Sequence, residues 1–71
     1  MKYSENDVVR TKKLVMAEVI GEQRKIPISS GTEGVVVVAH GNSNQPDAYE
    51  IEFYVAAQNC YALATLEASE I

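Results

Sequence analysis

The most regular hydrophobic pattern in the chain is an alternation along AYEIEFYVA, residues 48–56. Large apolar side chains occupy the odd-numbered positions, at Tyr49, Ile51, Phe53 and Val55. Glu50, Glu52 and Tyr54 occupy the even-numbered positions between them. Successive side chains of a β-strand point to opposite faces of the sheet. The pattern therefore predicts a strand with one buried face and one solvated face.

Four other segments complete the predicted elements. NDVVR favours a short strand at residues 7–10, and the valine run of EGVVVVAH predicts a strand buried on both faces or nearly so. In CYALATL, Tyr61, Leu63 and Thr65 alternate with Cys60, Ala62, Ala64 and Leu66, which predicts a further strand. Residues 14–20 fit either one or two helical turns or a strand that stops at Gly21, and Pro27 favours an extended edge segment.

Turn-forming residues separate these segments. HGNSNQPD, residues 40–47, predicts a loop that joins two strands as a long hairpin. SSGTEG predicts a turn bracketed by two glycines, and AAQN predicts a tight connection. The final EASEI predicts a turn that lays Ile71 on the core.

Together the segments predict an all-β fold, a small SH3-like barrel of about five short antiparallel strands forming one domain over residues 1–71. Closing the sheet removes exposed edges that would otherwise pair with other chains. A chain this short buries only about 60% of the surface that it exposes when unfolded, so marginal stability is expected. The expected core residues are Val8, Val35, Val37, Ile51, Phe53, Leu63 and Leu66.

Four motifs carry a family resemblance, in the order DVVR, ISSGTEGVVVV, AYEIEF and ATLEASEI. They are similar to a family of small bacterial proteins with an SH3-like barrel and no assigned function, numbered four-nine-two-six among domains of unknown function. That family typically shows an Asp-Val-Val opening, a Gly-x-x-Gly turn, a Tyr-Glu-Val-Glu-Phe strand and a Thr-Leu near the end. The chain departs from it in YVAAQN after Phe53 and in a longer segment between Arg10 and Gly31. The resemblance implies a fold and no catalytic residues.

Charge is distributed unevenly along the chain, whose net charge is −4. The first 25 residues hold all six Lys and Arg residues and four acids, a balance of +2, whereas residues 26–71 hold six acids and no Lys or Arg, a balance of −6. The acidic part cannot neutralise phosphates, so it favours a basic protein surface over nucleic acid as a partner. No apolar run is long enough to span a bilayer. The N-terminus has no signal-peptide pattern, and the lone Cys60 fits a reduced, cytoplasmic compartment.

Few residues offer catalytic or metal chemistry. The Cα atoms of Glu50 and Glu52 are expected about 6.5–7 Å apart on one strand. The carboxylate pairs of glycosidases instead flank a cleft on separate elements, so this spacing does not indicate a catalytic pair. His40 and Cys60 lack a recognisable third group that would orient them as a catalytic dyad, and one histidine matches no zinc spacing. SSGTEG lacks the lysine of a phosphate-binding loop. The sequence therefore predicts no enzyme, no metal site and no cofactor.

The expected function is binding to another protein. Tyrosines beside carboxylates are common in recognition patches, and the candidate partner-binding residues are Asp47, Glu50, Glu52, Tyr54, Tyr61, Glu67 and Glu70. The leading hypothesis is a small acidic inhibitor, immunity or accessory protein, monomeric or homodimeric. One alternative is an acidic face that mimics nucleic acid, as anti-restriction and anti-CRISPR proteins do. Another is nucleic-acid binding through a basic cluster, which needs five residues to converge: Arg10, Lys12, Lys13, Arg24 and Lys25.

Overall fold

A computed structural model describes residues 3–42 and 45–71, which form one six-stranded antiparallel sheet and no α-helix. The strands are β1 (Val8–Arg10), β2 (Val15–Val19), β3 (Lys25–Ile28), β4 (Glu33–Asn42), β5 (Gln45–Val55) and β6 (Cys60–Leu66). Short 3-10 helices follow β5 and β6, at Ala56–Gln58 and Ala68–Glu70. The strand order is β1-β4-β5-β6-β2-β3, and the sheet curls into a half-barrel. The predicted small all-β, barrel-like fold is confirmed.

The segment that the sequence left undetermined forms the β2–β3 hairpin. Val15, Ala17 and Val19 are buried, whereas Met16 and Glu18 are exposed, the period-2 pattern of a strand rather than a helix. Pro27 lies in β3, which is an edge of the sheet as predicted, because proline has no N–H to donate to a second neighbour. This hairpin raises the number of strands from about five to six.

The half-barrel keeps two edges, β1 and β3, instead of closing through a continuous ladder of strands. Thr11, the residue directly after β1, is a buried polar residue (3% exposed) that lies between these two edges. Its hydroxyl donates a hydrogen bond to the Ser29 carbonyl (2.8 Å), and its backbone N–H donates to the Thr32 carbonyl (3.0 Å). The N–H bond extends the β1–β4 ladder, whereas the hydroxyl bond to Ser29, the residue after β3, links the ends of the two edge strands.

The inner face of the sheet supplies the core. Tyr49, Ile51 and Phe53 of β5 are fully buried and pack with apolar residues of the other strands: Val9, Val15, Ala17, Val19, Ile26, Ile28, Val36, Ala62, Ala64, Leu66 and Ile71. The predicted alternation of β5 is confirmed. Among the expected core residues, Ile51, Phe53 and Leu66 are confirmed.

The prediction of a core position is wrong for four residues, and strand register gives the reason for each. Val8 is 60% exposed, because its neighbour Val9 pairs with Gly34 on the inner face. Val35 and Leu63 are half-buried on the opposite side of the sheet, where both pair with Glu52. Val37 falls at a register shift between Val36 and Val38, and it is only half-buried. A run of valines does not by itself reveal which of them faces the core.

The β4–β5 hairpin is longer than expected, since the predicted loop at residues 40–47 is largely strand. β4 continues to Asn42 and β5 begins at Gln45, with backbone pairing of Gly41 to Pro46. Residues 43 and 44 lie outside the described residues. A second register shift falls between His40 and Gly41, and Gly41 adopts a φ of +95°, which glycine tolerates without strain. Turn-type side chains therefore did not prevent the backbone ladder from continuing.

Both described ends of the chain pack on the core near Tyr49. The backbone N–H of Tyr3 donates a hydrogen bond to the Tyr49 hydroxyl (3.0 Å), and the two rings meet edge to face with centroids 5.5 Å apart. Ile71 is only 3% exposed, so the predicted final turn onto the core is confirmed. The Tyr49 hydroxyl thus anchors the N-terminal segment.

Replacing Tyr49 with phenylalanine should lower the free energy of unfolding by about 1 kcal/mol. The Tyr3 N–H loses its acceptor, whereas the buried ring is retained. Urea unfolding followed by circular dichroism measures the change. Tyr54→Phe is the matched control, because the exposed Tyr54 hydroxyl bonds only the exposed Asn59 side chain and its loss should cost less than about 0.5 kcal/mol. Equal effects of the two substitutions would contradict an anchoring role for Tyr49.

Candidate interaction surface

The side of the sheet turned away from the core is termed the outer face. Residues directly opposite each other on antiparallel strands point to the same side. One row therefore crosses all six strands through successive pairs, in the order Val8, Val35, Glu52, Leu63, Glu18 and Lys25. The row shows that the outer face is mixed, with apolar side chains between carboxylates.

Two tyrosines form the aromatic part of the outer face. Tyr54 of β5 pairs directly with Tyr61 of β6, and their ring centroids lie 5.1 Å apart at an interplanar angle of 53°. Each is about half exposed, at 52% and 51%. The Tyr54 hydroxyl donates to the Asn59 side chain (2.9 Å), in a turn where Asn59 has a φ of +49°. The pair is therefore exposed and also held in place.

A shallow, solvent-open trough of about 450 Å³ lies beside the tyrosines. Residues of the β2–β3 hairpin and one residue of β6 line it: Glu18, Val19, Ile20, Gly21, Glu22, Gln23 and Leu63. Ile20 is 49% exposed, and its N–H donates to the Tyr61 carbonyl (2.9 Å), which places the trough next to the aromatic pair. Sequence reasoning missed Ile20 and assigned Leu63 to the core. The missed signal was the alternation of residues 15–20.

The two central glutamates point to the outer face along β5. Glu50 lies 3.1 Å from the imidazole of His40, an interaction between partly exposed groups that contributes little to stability. Glu52 is half-buried, and none of the ion pairs among the described residues includes it. The trough lies on the β2–β6 side of Glu52 rather than between the two carboxylates. In the described part of the chain, the trough therefore does not lie between Glu50 and Glu52, as the cleft of a paired-carboxylate site does.

The other three candidate residues lie elsewhere. Glu70 accepts a hydrogen bond from the Glu67 N–H (2.9 Å), so the two acids cap the last 3-10 helix, and Glu70 also pairs with Lys13 (3.4 Å). Asp47 lies near the end of the β4–β5 hairpin, close to Gly41. Of the seven candidates, the structure therefore brings together four: Glu50, Glu52, Tyr54 and Tyr61.

Three of the five residues of the predicted basic cluster lie at separate places in the fold. Arg24 contacts Glu22 and Gln58, just before β6 begins, whereas Lys13 contacts Glu70, just after β6 ends. The seven residues of β6 span about 20 Å. Arg10 lies at a third position, at the end of β1, where it contacts the Glu33 side chain and the Gly31 carbonyl. Such scattered cations do not make the continuous groove that a nucleic-acid backbone needs.

The two nucleophile-type residues are also far apart. His40 pairs with Ala48 and Cys60 pairs with Val55, and these two positions are seven steps apart along β5, or about 23 Å. A histidine–cysteine dyad is therefore geometrically impossible in this fold. Within residues 3–42 and 45–71, no three His, Cys, Asp or Glu side chains gather as metal ligands would. Nor does the described part of the chain contain a helix with the length and apolarity to cross a bilayer.

Fold and surface together define the class of this protein: a small all-β half-barrel whose outer face combines exposed tyrosines, an apolar trough and carboxylates. Comparison with protein-family models, with curated proteins and with solved structures found no match.

Proposed function

We propose that this chain is a non-enzymatic binding module that docks its outer face on a partner protein, as an inhibitor, immunity or accessory protein does. The observation that carries the proposal is the Tyr54–Tyr61 pair, half exposed and held beside an apolar trough. Tyrosine offers a large contact area at little entropic cost, which is why it is enriched at interfaces. The proposal includes membership of the SH3-like-barrel family that the sequence motifs resemble. It also includes a cytoplasmic location.

The distribution of charge favours a protein over a nucleic acid as the partner. Acids on the outer face would repel phosphates, and the basic residues are scattered. Mimicry of nucleic acid is less well supported, because cations lie beside several of the acids. Glu18 pairs across strands with Lys25, and Glu70 lies 3.4 Å from the ammonium group of Lys13. A mixed aromatic and acidic patch suits a protein partner with a basic and apolar surface.

Site-specific photo-crosslinking in the native host tests the proposal. A benzophenone side chain at position 61 should give a discrete cross-linked species, whereas the same group at the exposed position 12, near the last 3-10 helix, should not. Tyr54→Ala with the crosslinker at 61 should reduce that species by about tenfold or more, as expected of a central contact worth about 1.4 kcal/mol. Equal cross-linking from positions 61 and 12 would contradict docking through the outer face.

A further inference from the structure

Leu63 lies between two carboxylates on the outer face. It pairs with Glu52 on β5 and with Glu18 on β2. Neighbouring strands are about 4.8 Å apart, so the Cα atoms of the two glutamates lie about 10 Å apart across a half-buried leucine. This arrangement is an apolar floor with an anionic group on each side, and the floor belongs to the trough.

The two carboxylates have different neighbours. Glu18 has Lys25 opposite it on β3, so a cation of the same chain lies beside it. The cross-strand neighbours of Glu52 are Val35 and Leu63, both apolar, and the ion pairs among residues 3–42 and 45–71 do not include Glu52. A cation brought by a partner would therefore gain most at Glu52.

Aromatic faces complete the surroundings of Glu52. Tyr54 follows it by two residues on the same face of β5, about 6.5–7 Å away along the strand, and Tyr61 packs against Tyr54. A guanidinium group can stack on a tyrosine ring while it donates two parallel hydrogen bonds to a carboxylate. Lysine offers neither the planar stack nor the bidentate pairing.

We infer that the outer face binds an arginine side chain of the partner protein, with its aliphatic stem on Leu63 and its guanidinium group between Glu52 and the tyrosine pair. The inference rests on the proposed function and names the chemistry that the docking surface recognises. A second copy of the chain is not the expected source. Two copies with a net charge of −4 each repel one another, and the arginines Arg10 and Arg24 lie beside the carboxylates of Glu33 and Glu22.

Titration followed by amide NMR spectra of the full chain tests the inference directly. The probe is the blocked tripeptide acetyl-Gly-Arg-Gly-amide, and its neutral control carries citrulline in place of arginine. The arginine probe should bind weakly, with a Kd on the order of millimolar, and should shift the amide signals of Glu52, Tyr54, Tyr61 and Leu63. The citrulline probe should leave those signals unchanged.

Two variants that each remove one negative charge distinguish binding at this site from non-specific attraction of the cationic probe to an acidic protein. Glu52→Gln should weaken binding of the arginine probe by about fivefold, the effect of losing one partly exposed ion pair. Glu5→Gln removes one negative charge from an exposed N-terminal turn and should not change the affinity. Unperturbed spectra elsewhere establish that each variant remains folded.

The remaining outcomes decide against the inference. Equal weakening by both variants, shifts spread over all acidic residues, equal shifts with citrulline, or no shifts at all would each overturn arginine recognition. None of these results would affect the cross-linking result at position 61, which tests whether a partner docks on this face by any chemistry. Failure of the inference and failure of the proposed function are thereby distinguishable.

Discussion

Replacing Phe53 with alanine is expected to lower the free energy of unfolding by about 3–5 kcal/mol, the usual cost of truncating a fully buried phenylalanine. Phe53 is 0% exposed and lies with Tyr49 and Ile51 at the centre of the inner face. A domain of 71 residues has a total stability of about 4–10 kcal/mol. The substitution should therefore remove at least about a third of that stability and could remove all of it, and urea unfolding at 25 °C measures the loss.

The matched control for Phe53 is its neighbour Tyr54 on the same strand. Tyr54 is 52% exposed on the outer face, so Tyr54→Ala should cost less than about 1 kcal/mol of stability, although it should weaken the proposed docking about tenfold. The two substitutions remove aromatic rings from adjacent positions on opposite faces of β5. Similar losses of stability from both would mean that the assignment of inner and outer faces is wrong.

Replacing Gly34 with alanine is expected to destabilise the domain by about 1–3 kcal/mol through overpacking. A Cβ atom at Gly34 would lie 2.5 Å from Cγ2 of Ile51 and 2.8 Å from Cε1 of Phe53. Both side chains are fully buried and cannot move aside without disturbing the rest of the core. Gly34→Val should cost more than Gly34→Ala, since it adds two further carbon atoms to the same space. Thermal and urea unfolding of both variants give the comparison.

Gly21 provides the control for Gly34. An added Cβ at Gly21 meets no heavy atom within 4 Å, although the residue has a φ of +84°. Gly21→Asn should therefore cost less than about 1 kcal/mol, because asparagine tolerates the left-handed conformation. A neutral Gly34→Ala would contradict the close approach of β4 to the Phe53 ring.

Part of the candidate site was predictable because alternation is a local property. The alternation of β5 places Glu50, Glu52 and Tyr54 on one face, whereas the alternation of β6 groups Tyr61 with Leu63 without showing that their face is the exposed one. Glu67 and Glu70 were grouped with them only by charge. Their capping of the last 3-10 helix depends on backbone geometry that composition does not reveal.

The trough could not be predicted, because its residues come from distant parts of the sequence. Ile20 and Leu63 lie 43 positions apart, and they become neighbours only because β2 pairs with β6. The β2–β6 pairing puts Glu18 on one side of Leu63, and the β5–β6 pairing puts Glu52 on the other, so Leu63 lies on the outer face and not in the core. Nothing in CYALATL alone distinguishes a leucine on the outer face from one on the inner face.

The sequence by itself determined the all-β class, the two faces of β5, the edge position of Pro27 and the packing of Ile71, because parity, turn chemistry and the missing proline N–H all act locally. Tertiary structure decided the β2–β3 hairpin, the choice of Val9 and Val36 as core residues, and the setting of Glu52 among Val35, Leu63 and the tyrosines. These features depend on which strands pair and in which register. Register is set by the packing of the whole core, since a slip of one residue exchanges the faces of an entire strand.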